Sequence, residues 1–289
     1  MRELARKLYR AIPFKQPPFE LLRRAVRLPE PIYRHLSFRG VMEVSAGDRS
    51  FRMMHHGTQV ENEVFWSGLF GRWEGSSLEL WVRAAARARS ILDVGANTGL
   101  YALAAAAVAR PGAAVAALEP VERIRARLSA NVALNAFPIT VLPAAAADRD
   151  GWGTLMDTEE THELSATMDA EGAVLTGRPR RAVRVPVTRI DSLVSEGVVP
   201  PPDLLKIDVE GYEAAVLRGM PELLGTTPVM IVEVLSEPAA AAVWGLLEPH
   251  GYACWIIESD GPRRLERPRA APGTNLLFST PAAARELLP

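Results

Sequence analysis

Five short runs of uninterrupted apolar residues, spaced by helical patterns, restrict this chain to one class of architecture. They are Ser90-Ile-Leu-Asp-Val94, Ala114-Val-Ala-Ala-Leu118, Ile139-Thr-Val-Leu142, Leu204-Leu-Lys-Ile-Asp208 and Val229-Met-Ile-Val-Glu233. A strand that is apolar along its length needs cover on both faces, and parallel sheets get that cover from crossover helices. Helical spacing occupies Leu78 to Arg89, Thr98 to Val108, Arg123 to Asn135 and Tyr212 to Arg218. Ala253 to Glu258 and Asn275 to Ser279 read as two further strands; an Asp260-Gly261 turn close after the first makes the last pair antiparallel. The expected class is α/β, a doubly wound and mostly parallel sheet with an antiparallel last strand. A polar, glycine-containing stretch from Asp148 to Arg181 interrupts the alternation.

The first 75 residues read differently from 76–289. Five prolines between Pro13 and Pro31 cut the beginning into short helical pieces. Two strands, His35 to Val44 and Ser50 to His55, follow around a turn at Ala46–Arg49, and then an irregular apolar set between Val60 and Phe70. This extension is expected to act as a lid or cap, or, through Trp66, Phe70 and Trp73, to supply a homodimer surface. Leu4, Leu8 and Ile12 stand at helical spacing, as in a short helix docked on the body rather than one lying on a membrane.

Composition excludes several other classes. Of 289 residues, 48% are hydrophobic and 23% charged, which rules out disorder and fibrous repeats. With 33 basic and 34 acidic residues the balance gives no electrostatic case for binding nucleic acid. The lone Cys254 excludes an internal disulfide and fits a reducing compartment, so a cytoplasmic location is expected. The most apolar run, Leu100 to Ala109, falls short of the ~20 residues needed to span a bilayer.

The chemistry concentrates in three places. Ile91-Leu-Asp-Val-Gly-Ala-Asn-Thr-Gly-Leu-Tyr101 is a buried strand, a glycine turn and a helix start, where Gly95 and Gly99 let backbone approach a ligand closely. The dinucleotide pattern G-x-G-x-x-G is not met, since Asn97 and Leu100 hold its second and third glycine positions, so a ligand without phosphates fits better. Glu119, 24 residues after Gly95 at the end of the next strand, can accept both ribose hydroxyls of a nucleoside or stand as a surface charge. Lys206, Asp208 and Glu210 share one strand face; Asp208 can project into a reaction cleft, pair with Lys206, or do both. Glu210, before Gly211 at a helix start, reads equally as a capping charge.

The chain resembles class I S-adenosylmethionine (SAM)-dependent methyltransferases, and more narrowly the FkbM family. The resemblance rests on Asp93-Val-Gly-Ala-Asn-Thr-Gly99, Leu118-Glu-Pro120, Asn131-Val-Ala-Leu-Asn135, Arg189-Ile-Asp-Ser-Leu193, Leu205-Lys-Ile-Asp-Val-Glu-Gly-Tyr-Glu213, Val216-Leu-Arg-Gly219 and Asn275-Leu-Leu-Phe278. It implies a Rossmann-like sheet with SAM as cofactor and S-adenosylhomocysteine (SAH) as product. Asp93, Gly95, Asn97, Gly99 and Tyr101 would then line the methionine end of SAM, and Glu119 would hold its ribose. Glu74 would meet the amino group or serve as a helix N-terminal charge, and Ala146, Ala147 and Asp148 would fall at the adenine edge. The implied reaction is O-methylation of a small-molecule or glycan hydroxyl.

Such a transfer needs acceptor, methyl and sulfur aligned, and a base where the acceptor is a hydroxyl. Asp208 and the pair His55-His56 are the candidate bases; because strand neighbours face opposite ways, at most one histidine should face the cleft. His162, in the irregular stretch, is a further candidate for a substrate-covering loop. Asp208, Glu210 and Glu233 could present oxygens to Mg²⁺, although no tight ligand spacing appears. An NAD(P)-linked oxidoreductase and a non-catalytic SAM-binding assembly partner are the competing readings.

Overall fold

A computed structural model of the chain describes residues 14–72, 74–158, 166–167, 180–270 and 274–287. Trp73, His162 and the Leu4–Ile12 helical spacing lie outside the described residues. The first described elements are α1 (Gln16–Ala25) and α2 (Glu30–Tyr33), followed by a hairpin of β1 (Gly40–Ala46) and β2 (Arg49–His55) closed at Gly47 and Asp48. Met42, Val44 and Ala46 on β1 and Phe51, Met53 and His55 on β2 alternate inward. Between Val60 and Phe70 the expected irregular set is instead helix α3 (Gln59–Ser67). A capping box starts it, with Glu61 accepting from the Thr58 amide, and Gly68 at φ 81° stops it.

The core then alternates helix and strand. Its elements are α4 (Gly75–Ala85), β3 (Ser90–Val94), α5 (Leu100–Val108), β4 (Ala114–Leu118), α6 (Glu122–Asn135), β5 (Ile139–Leu142) and β6 (Ala145–Ala146). Next come β7 (Gly151–Thr158), β8 (Ala166–Thr167), β9 (Arg180–Thr188), α7 (Ile190–Ser195), β10 (Leu204–Ile207), α8 (Glu213–Arg218) and β11 (Val229–Glu233). The chain closes with α9 (Glu237–Leu247), β12 (Ala253–Glu258), β13 (Gly261–Leu265), β14 (Asn275–Ser279) and α10 (Pro281–Leu287).

Eight strands make the main sheet in the order β5-β4-β3-β10-β11-β14-β12-β13. The first five are parallel, and β3, β10 and β11 are buried at every residue, as a doubly covered sheet requires. This is the doubly wound α/β class. Its antiparallel part comprises three strands rather than one, because the Asp260-Gly261 turn leads into β13 while β14 inserts between β11 and β12.

Part of the 148–181 interruption is a second sheet, ordered β6-β9-β7-β8, in which β7 pairs antiparallel with β9 from Gly151↔Val187 to Thr158↔Arg180. Leu155, Val185 and Val187 point inward from it onto Val121 and Ile124 of the core.

The extension is sewn onto the core by two asparagines. Asn131 Oδ1 accepts the Met54 amide at 2.8 Å, and Asn135 Oδ1 accepts the Arg52 amide and its Nδ2 donates to the Arg52 carbonyl, both at 2.6 Å. Residues four apart on a helix rise about 6 Å, close to the ~6.8 Å between alternate strand residues. The spacing of Asn131 and Asn135 thus matches the edge of β2. Asn131 Nδ2 also donates to the Thr98 carbonyl at 2.9 Å, inside the glycine loop. One apolar cluster runs from Phe38, Met42, Phe51 and Phe65 through Trp81 and Leu103 to Leu277, so extension and sheet share a core. Trp66, expected at a surface, is instead half-buried, donating to the Leu36 carbonyl and packing on Phe19 and Tyr33.

Candidate active site

β3 connects onward to β4 on one side of the sheet, while β10 pairs with its other edge, so loops leaving the carboxyl ends of β3 and β10 diverge and open a crevice. A cavity of about 370 Å³ lies there. Its floor is the glycine loop. Gly95 has φ 81°, and a Cβ on it would stand 1.8 Å from the Asp208 carbonyl oxygen, so only glycine lets β3 turn this close to β10. The Gly95 and Ala96 amides donate to the Leu118 carbonyl at 3.1 and 2.9 Å, and Asn97 continues in the left-handed region at φ 52°. Asp93, Gly95 and Asn97 line the cavity, whereas Gly99 does not. At φ 93°, its missing Cβ makes room for Leu128 of α6, so its role is packing.

Glu119 follows β4, 5% exposed, and lines the cavity's other side. Its carboxylate accepts the Val121 amide at 2.9 Å and the Asn97 amide at 3.1 Å, which orients it across the loop. Burial pushes its pKa up to about 7, against these two donors. The alternative of a surface charge is excluded by this position.

A polar cluster closes the far end. Lys206 on β10 is 1% exposed; its Nζ lies 3.1 Å from Asp208 Oδ2 and 5.0 Å above the Tyr101 ring. Tyr101 Oη donates to Glu74 Oε2 at 2.5 Å. Glu74 therefore turns into the cavity; it stands at the N-cap of α4 without a capping bond. Parallel register sets Ile207 beside Val232, which brings the next residues, Asp208 and Glu233, into mutual hydrogen-bonding reach.

Four carboxyl groups thus surround one ammonium, and the proton balance follows. Burial opposes charge on Lys206, but Asp208, Glu74 and Glu233 together hold its pKa above the ordinary value. Burial likewise opposes ionisation of Asp208, yet the adjacent Lys206 brings its pKa below the ordinary value. Glu233, desolvated and facing Asp208, is pushed up to about 10 and keeps its proton. Desolvation raises Asp93 to about 7 and raises Glu74 as well.

Other expected site residues fall elsewhere. His55 is fully buried inside the extension, its ring 4.2 Å from that of Phe38, and desolvation lowers its pKa to about 4. His55 and His56 both lie outside the cavity lining, because the hairpin turns His55 into its own apolar core. Of the residues expected at the adenine edge, Ala146 lines the cavity, beside Ala144 and Ala145; Ala147 is buried with its amide bonded to the Thr188 carbonyl, and Asp148 pairs with Arg149 and Arg218. Glu210 lines the cavity at φ 54°, while Glu213 accepts the Gly211 amide at the start of α8. Thr58, Gln59 and Val60, at the start of α3, form a wall that sequence reasoning did not place; the Thr58-x-x-Glu61 capping pattern was the available signal. Among the described residues, no group of three His, Cys, Asp or Glu side chains has a geometry that could hold a metal ion.

A family model, the methyltransferase FkbM domain, matches residues 93–254, more than half of the chain. The chain belongs to the FkbM methyltransferase family. Its cofactor is accordingly SAM. Two curated relatives are similar to this chain. The AMB antimetabolite synthetase AmbE of Pseudomonas aeruginosa is 31% identical over 199 residues, covering 56% of this chain and 9% of that protein. The hexuronic acid methyltransferase AglP of Haloferax volcanii is 28% identical over 169 residues, covering 56% of this chain and 63% of that protein. The match thus spans less than two thirds of either relative's length. A solved O-methyltransferase from Bacillus cereus, in complex with SAH, is 15% identical with a TM-score of 0.40, over 71% of this chain and 79% of that one.

The residues of this family member fit the cofactor. Asp93 Oδ2 is buried without a hydrogen-bond partner among the described residues, an acceptor that an ammonium group would satisfy. The cavity lining carries six carboxyl residues, Glu74, Asp93, Glu119, Asp208, Glu210 and Glu233, against Lys206 alone. SAM bears a sulfonium and an ammonium, so its positive charge complements that excess.

Proposed function

We propose that the protein methylates a hydroxyl of a small molecule or sugar, with Asp208 as the base. The single observation that carries this reading is the position of Asp208. It lies at the end of β10, beside the glycine loop, with Oδ2 bonded to Lys206 and its side chain 28% exposed to the cavity. SAM, when bound, supplies an electrophilic methyl group.

The rest of the work falls to the chain. Glu119 accepts the ribose hydroxyls and the glycine loop presents backbone to the cofactor, which fixes its placement. Asp208 receives the acceptor's proton on Oδ1 while Lys206 keeps Oδ2 in place; because Glu233 stays protonated, the pair carries one negative charge rather than two. The start of α3 walls the acceptor side, which gives the extension a part in acceptor choice. The names of the two relatives, one acting on a hexuronic acid and one making an antimetabolite, agree with sugar and small-molecule acceptors.

Calorimetric titration with SAH, with NADH and NADPH in parallel, comes first, followed by SAH release in the presence of neutral and acidic sugars. Micromolar SAH binding and turnover that Asp208→Asn abolishes are expected. Nicotinamide binding would overturn the reading, and SAH binding with full activity in Asp208→Asn would remove Asp208 as the base.

A further inference from the structure

Helix α1 has one edge committed to the body and one left over. Gln16, Phe19 and Arg23, at helical spacing, hold α1 down: Gln16 Nε2 donates to the Val41 carbonyl at 2.6 Å, Phe19 packs on Trp66, and Arg23 donates to the Phe65 carbonyl at 2.9 Å while lying over its ring. No residue of α1 is fully buried. On the side away from these contacts stand Leu21, 69% exposed, and the exposed Arg24. Phe14 precedes the helix at 87% exposure, and Val26 and Ile32 follow it at 51% and 50%. Four of the eight large exposed hydrophobics among the described residues therefore fall within residues 14–32.

The same segment is the basic end of the molecule. Residues 1–39 hold ten Lys and Arg against three Glu, leaving 23 basic and 31 acidic residues for all the rest. A near-neutral total conceals a strongly polarised chain. Basic residues alone would suit any polyanion, but large apolar side chains standing among them suit an anionic bilayer, where both terms act together. No helix among the described residues is long and apolar enough to cross a membrane, so the contact would be with the surface.

We infer that α1 and its flanks form a membrane-surface site for anionic lipid, with Phe14, Leu21, Val26 and Ile32 entering the interface and Arg24 and Arg27 meeting headgroups. The site is independent of the methyl-transfer reading, since none of these residues lines the cavity.

The test is co-sedimentation of the full chain with phosphatidylglycerol–phosphatidylcholine vesicles and with phosphatidylcholine vesicles alone, at low and high salt. The chain should sediment with the anionic vesicles, be released by salt, and leave the neutral vesicles largely unbound. Leu21→Glu combined with Arg24→Glu should lower partitioning roughly tenfold or more with SAH affinity unchanged, which shows the fold intact. Equal binding to both vesicle types, binding to neither, or unchanged binding by the double variant would overturn the inference. So would a wild-type dimer that the double variant renders monomeric, because a second copy would then cover the patch.

Discussion

Replacing Lys206 by Met keeps the length of the side chain and removes the cavity's cation. The Nζ–Oδ2 separation of 3.1 Å corresponds to about 5 kcal/mol of attraction at an effective dielectric of ~20. Asp208 is 28% exposed, so solvent recovers part of that, and breaking a buried pair typically costs about 3–5 kcal/mol. A loss of about 3 kcal/mol at neutral pH is the expected value. Its pH dependence is the sharper signature. The folded-state pKa of Asp208 is depressed, so its contribution is present above the unfolded value of about 3.9 and is lost as pH falls through the folded one. That of Lys206 is raised, so its contribution persists until pH climbs past about 10.4. In the variant, desolvated Asp208 takes up a proton at higher pH than in wild type, so the gap to wild type should narrow as pH falls and close only below the unfolded value, as the wild-type contribution is lost as well. Urea unfolding at several pH values measures this directly. A destabilisation below about 1 kcal/mol at pH 7, or one that does not change with pH, would refute the account of the cluster.

Three further outcomes are expected. Glu119→Gln should weaken SAH binding; wild-type affinity should rise with pH through about 7, as the carboxylates of Glu119 and Asp93 form, and the variant should show a smaller rise, the part left to Asp93, which calorimetry across pH would reveal. Gly95→Ala must bear both a left-handed φ, about 1–2 kcal/mol, and a backbone collision with Asp208, so it should lose stability and SAH affinity. Gly112→Ala, at the same φ with nothing within 4 Å, should show only the strain in the same melts. Asp208→Asn should lower single-turnover rate by roughly a hundredfold or more while SAH affinity falls far less.

The parts of the site fixed by local chemistry were readable in the sequence. Gly95 and Glu119 sit where a strand, a turn and the next strand end must put them, and the pairing of Lys206 with Asp208 follows from alternation along β10. What depended on long-range pairing was not readable. β6 belongs to the second sheet through its register with β9, and the cavity wall there is Ala144–Ala146, so Ala146 stands where the sequence put it while Ala147 and Asp148 do not line the cavity. The second sheet itself was hidden because β7 does not alternate cleanly in residue type: Trp152 is exposed on it and Asp157 is buried. His55 obeys strand alternation, but alternation cannot say whether the inward face meets a cleft or another helix; Phe38 and Phe65 decide that. Glu233 reads as one more strand-end carboxylate until parallel register sets it beside Asp208.

Asn131 touches three parts of the molecule with one amide: it is anchored in α6, grips the hairpin at Met54 and holds the glycine loop at Thr98. The opening of any one of them strains the other two, so the hairpin amide and the cofactor loop share a common fluctuation. Ligand that quiets the loop must slow deuterium uptake at the Met54 amide, a peptide group that does not line the cavity. That one backbone proton therefore works as a built-in gauge of cofactor occupancy, legible by mass or magnetic resonance without any acceptor in hand.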